Sequence, residues 1–420
     1  MTPYNLFILA LSAAFLVGSS LYLRQNSAME HVNTLNISDT SLNQNFCRSS
    51  AEEVDRGTRE LLDSLNAITN KSYFRYYKIN SEKECPYWAV SLLCNAENAC
   101  EVCKCDESSI PQPLRMAGDM SDVRTPSAEV SQRSPHPATL DDWGTWREVG
   151  DVDDASASYV DLVQNPEGNT GYGGPMAGRV WSTIYRENCM QVNQEDEQCS
   201  EVGILKKLFS GLHMSINLHV CTNFYKDKNF SSPQRHSGIY NNPNISFYPN
   251  CDMFNNRVAP FPEFVENLYV LYQFVLRALK KAEPFFLANL QEYNTGDAVE
   301  DAELRDQLQL LYGDKLLCAR TFDEAKFLDT PKGLSLVPTM NELLLNVTRI
   351  MDCVGCEKCR IWGKLETKGI IVALKINTHN STDITLDRAE KVSLMNTARQ
   401  LAFSVRNVQR LSEVCAGKKE

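Results

Sequence analysis

The chain has 420 residues, of which 43% are hydrophobic, with 20 glycines and 17 prolines. That composition supplies a core and excludes a disordered, collagenous or low-complexity chain. A net charge of −11 leaves no basic face for nucleic acid, and 15 cysteines are too dilute to replace a core.

Residues 3–23 are uncharged and mostly apolar, and they end at Arg24. A stretch of that length can span a bilayer, and no Lys or Arg precedes it to set its orientation. We read residues 1–24 as a signal peptide or signal anchor, the latter giving possible membrane association on the lumenal side. Sequons follow at Asn36, Asn70, Asn229, Asn244, Asn346 and Asn380. With the cysteines, they indicate an oxidising secretory compartment. The cysteine count is odd, so at least one thiol lies outside any fixed intrachain pairing.

From Ala51 to Ile68 the spacing of Val54, Leu61, Leu65 and Ile68 predicts an amphipathic helix. Tyr73 to Ile79 reads as an aromatic strand or extended segment. Cys85-Pro-Tyr-Trp, Cys94, Cys100, Cys103 and Cys105 then crowd a stretch without periodicity, which predicts a loop. Residues 106–158 are rich in Pro, Ser and Asp and are expected to form a flexible surface insertion. Four helices are predicted beyond it: Gly203–Val220, one running from Phe264 to Leu279 and closed by Pro284, Met340 to about Met351, and Asp387–Leu411. The Asn- and Pro-rich stretch from Cys221 to Phe261 reads as a loop that Cys221 and Cys251 are expected to close. There is no internal repeat. The predicted fold class is mainly α: one helical domain over residues 47–415, carrying the insertion and a cysteine-rich loop.

The sharpest local signal is Cys353-Val-Gly-Cys356-Glu-Lys-Cys359-Arg-Ile-Trp-Gly-Lys-Leu. An iron–sulfur site would need a following Cys-Pro, which is missing. Zinc could combine this run with Cys100, Cys103 and Cys105, since such spacing suits tetrahedral thiolates. A redox dithiol at a helix end would have a backbone dipole and Lys358 or Arg360 beside its sulfurs. The plain alternative is a pair of structural disulfides. The residues alone favour redox over structure, with zinc third, and leave open which two cysteines cycle.

That run, preceded by Asn346-Val-Thr-Arg-Ile-Met-Asp, closely resembles the endoplasmic reticulum oxidoreductin family, the flavin-dependent thiol oxidases. Ser72-Tyr-Phe-Arg-Tyr-Tyr-Lys, Cys85-Pro-Tyr-Trp, Tyr159-Val-Asp-Leu, Asn165-Pro-Glu, Thr170-Gly-Tyr, Ser210-Gly-Leu-His and Leu276-Arg-Ala-Leu match in the family's order. The match covers roughly residues 47 to 410. It implies a helical domain binding FAD, in which an inner disulfide passes electrons to the flavin and O2 becomes hydrogen peroxide. By position the inner pair is Cys356–Cys359, and Cys353 is the structural partner of Cys85. The outer, shuttle pair accepts electrons from protein disulfide isomerase or another thioredoxin-like protein. It falls on Cys94 and Cys100, with Cys100–Cys105 as the runner-up. Cys189 and Cys199 match a structural disulfide of the family.

No Gly-x-Gly-x-x-Gly follows a strand, so the residues themselves carry no dinucleotide signature. Taken alone, Ser210 and His213 read as core polar residues and Trp181 as plain core. The resemblance instead assigns Thr170, Tyr172, Trp181, Ser210, His213 and Arg277 to FAD. Two family arginines are replaced here, by Gly168 and Phe264, and Arg179 and Arg257 are the candidate substitutes by proximity in sequence. Cys47, Cys318 and Cys415 stay unassigned. The expected activity is oxidation of protein disulfide isomerase in the endoplasmic reticulum lumen, with no metal. A non-enzymatic disulfide-stabilised binding protein and a zinc module are the rivals.

Overall fold

Leu61, Leu65 and Ile68 are buried on α1 (Thr58–Thr69), as their spacing predicts, with Leu62 beside them; the helix starts later than Ala51, and Val54 is buried ahead of it. The chain then makes one turn, α2 (Ser72–Arg75), before entering β1 (Tyr76–Ile79). Only the second half of the expected Tyr73–Ile79 strand is therefore extended. Tyr73 and Phe74 instead turn into a cluster with Phe286 and Tyr293. The computed structural model describes residues 54, 57–89, 101–116, 156–167, 174–188, 201–222, 249–316, 322–379 and 384–416. All of them belong to the compact unit Gln44–Glu420. Residues 3–23, Cys47, Cys94, Cys100, Gly168, Thr170, Tyr172, Cys189, Cys199 and Cys318 lie outside the described residues.

Part of the insertion predicted over residues 106–158 is regular structure, and residues 117–155 lie outside the described residues. A 3-10 turn (Glu107–Ser109) and α3 (Gln112–Met116) form there, and Ile110 and Leu114 are anchored in the core. Two apolar side chains were enough to hold a stretch whose composition reads as loop. At the far end, β2 (Ser158–Asp161) pairs antiparallel with β1, with Tyr76 opposite Asp161 and Ile79 opposite Ser158. Lys104 bridges to the other edge of β2 and the Cys105 N–H donates to the Tyr159 carbonyl at 2.9 Å, so residues 104–105 run along the ribbon.

The helices that follow are α4 (Gly174–Asn188), α5 (Glu201–Thr222), α6 (Cys251–Arg257), α7 (Pro262–Lys281), α8 (Glu283–Leu287), α9 (Ala298–Leu310), α10 (Ala325–Leu328), α11 (Pro331–Met351), α12 (Glu357–Thr378) and α13 (Arg388–Ala416). Among the described residues the fold is thus mainly α, as predicted, with one two-stranded ribbon. None of the described helices is long and apolar enough to cross a membrane. Helix α11 starts earlier than Met340 and runs through Pro338. The Thr330 hydroxyl accepts the Gly333 N–H at 2.9 Å to cap it, and Pro331 takes a first-turn position where no N–H is needed.

Helix α12 is enclosed: every residue from Lys358 to Thr378 is buried. Its neighbours are α11, α13 and α7. Charged side chains inside a core need partners. Lys364 Nζ meets Asp352 at 2.8 Å, and Lys375 Nζ meets Glu390 at 2.6 Å and the Thr385 carbonyl at 2.8 Å. Gly369 lets α13 close in, because a Cβ there would sit 2.6 Å from Thr397 Cβ. Gly211 does the same between α5 and α7, where a Cβ would lie 2.6 Å from the Asn267 carbonyl oxygen.

The expected Cys221–Cys251 bridge is not formed; Cys251 pairs with Cys415. Helix α13 runs past the expected Leu411 to Ala416, which delivers Cys415 to the start of α6 with a Cα–Cα distance of 5.3 Å. Helix α6 itself lies in what reads as loop. A backbone hydrogen bond, Asn250 N–H to the Cys221 carbonyl at 2.9 Å, closes the neck where the disulfide was expected. The Cys221 thiol stays buried, and burial pushes it up to about 12.

Candidate active site

Cys356 is the N-cap of α12, and its sulfur accepts the Cys359 N–H at 3.3 Å. The Cys359 Sγ lies 2.7 Å from the Cys356 Sγ. Both residues are buried, so the pair sits at the positive end of a core helix, shielded from water. Such a pair can close to a disulfide with little side-chain movement. It is thus Cys356–Cys359 that form the close sulfur pair, while Cys353 forms the disulfide with Cys85.

Arg360 holds this turn in place. Its guanidinium donates to the Val354 carbonyl at 3.2 Å, the Ser81 carbonyl at 2.7 Å and the Lys83 carbonyl at 3.2 Å. The turn between Cys353 and Cys356 is thereby tied to the approach to Cys85. On the other side, Tyr87 Oη donates to Asn346 Oδ1 at 2.6 Å, and Asn346 Nδ2 donates to Asn188 at 2.9 Å. The Asn346 sequon is thus engaged in internal hydrogen bonds, whereas the Asn70 sequon is exposed.

The segment after Cys100 docks on the same helix end. Val102 N–H donates to Glu357 Oε2 at 2.9 Å. Asn165 grips Cys103 twice, accepting its N–H at 2.8 Å and donating to its carbonyl at 2.9 Å. The Asn165 carbonyl in turn accepts from Trp362 Nε1 at 2.7 Å. Cys103 is an exposed free thiol and Cys105 a half-buried one, raised by burial and then by Asp161. Among the described residues no three Cys, His, Asp or Glu side chains converge on a metal-sized site.

A second cluster gathers three of the remaining predicted residues. The rings of Trp181 (α4) and His213 (α5) stack at 3.9 Å with an interplanar angle of 14°. Tyr185 Oη lies 3.1 Å from His213 Nδ1. One turn earlier on α5, Ser210 Oγ accepts from Asn267 Nδ2 at 3.0 Å across the contact that Gly211 permits. Burial, then Arg257, pushes His213 down to about 3, so its ring is neutral and aromatic in character at neutral pH. Arg277 is not drawn into this cluster. Its guanidinium pairs with buried Glu324, and Asp323 lies 3.6 Å away. Phe264, which replaces a family arginine, stacks on Phe261 at 5.4 Å. Of the two suggested substitutes, Arg179 covers Trp88 at 4.4 Å, while Arg257 lies within electrostatic reach of His213.

A helix-capping cysteine pair in a helical core, with further cysteines docked over its end, defines a thiol–disulfide oxidoreductase. The family model described as Endoplasmic Reticulum Oxidoreductin 1 (ERO1) matches residues 60–408, and the chain belongs to this family. It is 34% identical to endoplasmic reticulum oxidoreductin-1 of Arabidopsis thaliana over 391 residues, covering 87% of this chain and 79% of that one. It is 31% identical to the Ero1-like protein of Drosophila melanogaster, covering 86% and 87% of the two chains. A cysteine-to-alanine variant of Saccharomyces cerevisiae Ero1p superposes with a TM-score of 0.62 at 26% identity, over 88% of this chain and 99% of that one. The chain is therefore an endoplasmic reticulum oxidoreductase acting on thiols.

Sequence reasoning assigned no role to Asn165 or Asn267, and it gave Arg360 only the part of a charge beside the sulfurs. Asn165 lies in a motif that the resemblance had already marked, and burial of that motif was its available signal. The hydrogen bonds of Arg360 to the Ser81 and Lys83 carbonyls involve a segment distant in sequence and leave no local signal.

Proposed function

We propose that the chain is a flavin-dependent sulfhydryl oxidase that keeps protein disulfide isomerase oxidised in the endoplasmic reticulum lumen. Electrons pass from the partner's dithiol to Cys94–Cys100, then to Cys356–Cys359, then to FAD and O2. The observation that carries the reading is the sulfur pair at the N-terminus of α12, 2.7 Å apart and sealed from solvent. A buried dithiol cannot meet a protein substrate directly, so a second pair has to reach it. The docking of residues 102 and 103 against Glu357 and Asn165 supports a shuttle beside that helix end. A yeast relative of 25% identity and TM-score 0.56 is described as the source of disulfide bonds for oxidative protein folding in the cell.

The described residues fit FAD. Trp181 and neutral His213 offer flat faces to an adenine, and Ser210 a hydroxyl beside them. Thr170, Tyr172 and Arg277 complete the set that the resemblance assigns. When bound, FAD supplies a two-electron acceptor that O2 reoxidises with release of hydrogen peroxide. Arg257, held near His213, is the better candidate for phosphate charge; Arg277 is already balanced by Glu324. Residues 1–24 act as signal peptide or anchor ahead of a thiol oxidase domain over 47–415.

Protein purified without denaturant is expected to be yellow, with about one FAD per chain. Trp181→Ala is expected to lower FAD retention about tenfold or more, since base–aromatic stacking contributes about 1–3 kcal/mol. The absorbance spectrum after gel filtration checks both. A colourless wild-type protein would sink the reading.

A further inference from the structure

Asn165 is fully buried, and its side chain meets the backbone of Cys103 as a neighbouring strand would. Its Oδ1 accepts the Cys103 N–H at 2.8 Å, and its Nδ2 donates to the Cys103 carbonyl at 2.9 Å and to the Asp161 carbonyl at 3.0 Å. Both amide N–H groups are thus committed, and a flipped amide would set donor against donor and its oxygen against two carbonyls. The Asn165 backbone is held as firmly. Its N–H donates to the Asp161 carbonyl at 2.9 Å, and its carbonyl accepts Trp362 Nε1 at 2.7 Å. Trp362 is buried on α12, one turn beyond Cys359.

The first turn of α12 makes a second attachment. Glu357, next to Cys356, accepts the Val102 N–H at 2.9 Å. Beyond Cys103 the chain is fastened again, by the Cys105 N–H on the Tyr159 carbonyl at 2.9 Å. Consecutive backbone groups of residues 102 and 103 are therefore fixed to the helix that carries the inner cysteines. The Cys103 thiol is exposed, and none of these bonds uses it. Cys100 precedes Val102 by two residues, and two residues of chain reach at most about 7 Å.

We propose that Asn165 is a positioning residue of the thiol relay, clamping residues 102 and 103 onto α12 so that the shuttle pair is presented to Cys356 and Cys359. The proposal rests on reading Cys94–Cys100 as the shuttle pair and Cys356–Cys359 as the inner pair. In the exchange a shuttle thiolate bonds to one inner sulfur as the Cys356–Cys359 bond breaks, and the second shuttle thiolate then displaces that sulfur. The shuttle leaves as a disulfide, and the inner pair holds the two electrons and two protons. Each attack needs sulfur aligned with sulfur, and a segment already fixed at one end loses less freedom in reaching that alignment.

Hydrogen exchange of the full chain, read at single amides, tests the clamp. The Cys103 amide should exchange about tenfold or more faster in N165A than in wild type, the effect of losing its hydrogen bonds to one side chain. Equal rates would overturn the clamp. N165A keeps the backbone carbonyl that Trp362 uses, so α12 should stay protected.

Turnover tests the positioning role. With a reduced thioredoxin-like protein, N165A should lose about tenfold or more in kcat at an unchanged KM, because small misplacements carry penalties of that size. With a small dithiol that reduces Cys356–Cys359 directly, N165A should match wild type. Equal loss with both substrates would mean a merely structural role, and no loss with either would refute positioning. E357A and E357Q both remove the charge beside Cys356, but only the amide can still accept the Val102 N–H. E357Q should therefore outpace E357A with the protein substrate and equal it with the small dithiol; equal rates with the protein substrate contradict the clamp. C103S should keep the wild-type rate, and a loss as large as that of N165A would assign the role to the sulfur instead. If wild type oxidised neither substrate, the thiol-oxidase reading would fall and the positioning role with it, while the exchange result would still decide the clamp.

Discussion

Cys356→Ala is expected to lower thiol-dependent oxygen consumption about 10³-fold or more, to the uncatalysed background. The variant leaves Cys359 without a neighbour at 2.7 Å, so no intramolecular disulfide can form and no electron pair can be handed on. The fold should survive. Cys356 contributes a sulfur cap to the Cys359 N–H, and losing a cap costs about 1 kcal/mol. An oxygen electrode with a reduced thioredoxin-like protein, alongside a thermal melt, separates lost chemistry from lost structure. Cys94→Ala should lose the protein substrate while sparing a small dithiol that can enter unaided. If Cys94→Ala lost nothing with the protein substrate, the shuttle would lie elsewhere, with Cys100–Cys105 the next candidate.

The second large effect concerns stability. Replacing Cys85 and Cys353 together by Ser is expected to destabilise the protein by about 4 kcal/mol. The bond spans 268 residues, and the chain-entropy relation for such a loop gives about 6 kcal/mol before any relaxation. Local structure goes with it, because Cys353 is buried and two hydroxyls cannot replace a buried bridge. The Ser81 and Lys83 carbonyls bound by Arg360 lie on the freed segment, so the turn holding Cys356 loosens as well. Urea unfolding under non-reducing conditions gives the difference; a loss below about 1 kcal/mol would contradict the structural assignment of this pair.

Part of this architecture can be read from the chain itself. Helical spacing located α1, α5, α7 and α13 because each repeats apolar residues at helical intervals. It gave no sign of α12. Lys364, Glu366 and Lys375 interrupt its apolar residues, yet the helix is enclosed and Asp352 and Glu390 answer two of the three charges. Partners that arrive from other elements leave no trace in local periodicity. Disulfides follow the same logic. Spacing favoured the nearer Cys221 for Cys251, but the true partner, Cys415, depends on how many turns α13 adds beyond Leu411.

The site divides likewise. The two inner cysteines are three residues apart, so the sequence brings them close by itself, and only the choice between Cys353–Cys356 and Cys356–Cys359 as the cycling pair needed the family resemblance. Trp181 and His213 lie on separate helices, and their stacking is a product of α4 packing near α5. Arg277, which motif matching assigns to the cofactor, also meets Glu324 in the fold, a partner 47 residues away that the motif does not reveal.

The central claim is that Cys356 and Cys359 hand electrons to a flavin held in this helical core. Adding a reduced dithiol to the purified protein without oxygen, and following the visible flavin band, tests it most directly. The account predicts that the band bleaches in wild type, returns when air is admitted, and stays unchanged in Cys356→Ala. Bleaching at an undiminished rate in Cys356→Ala would contradict it.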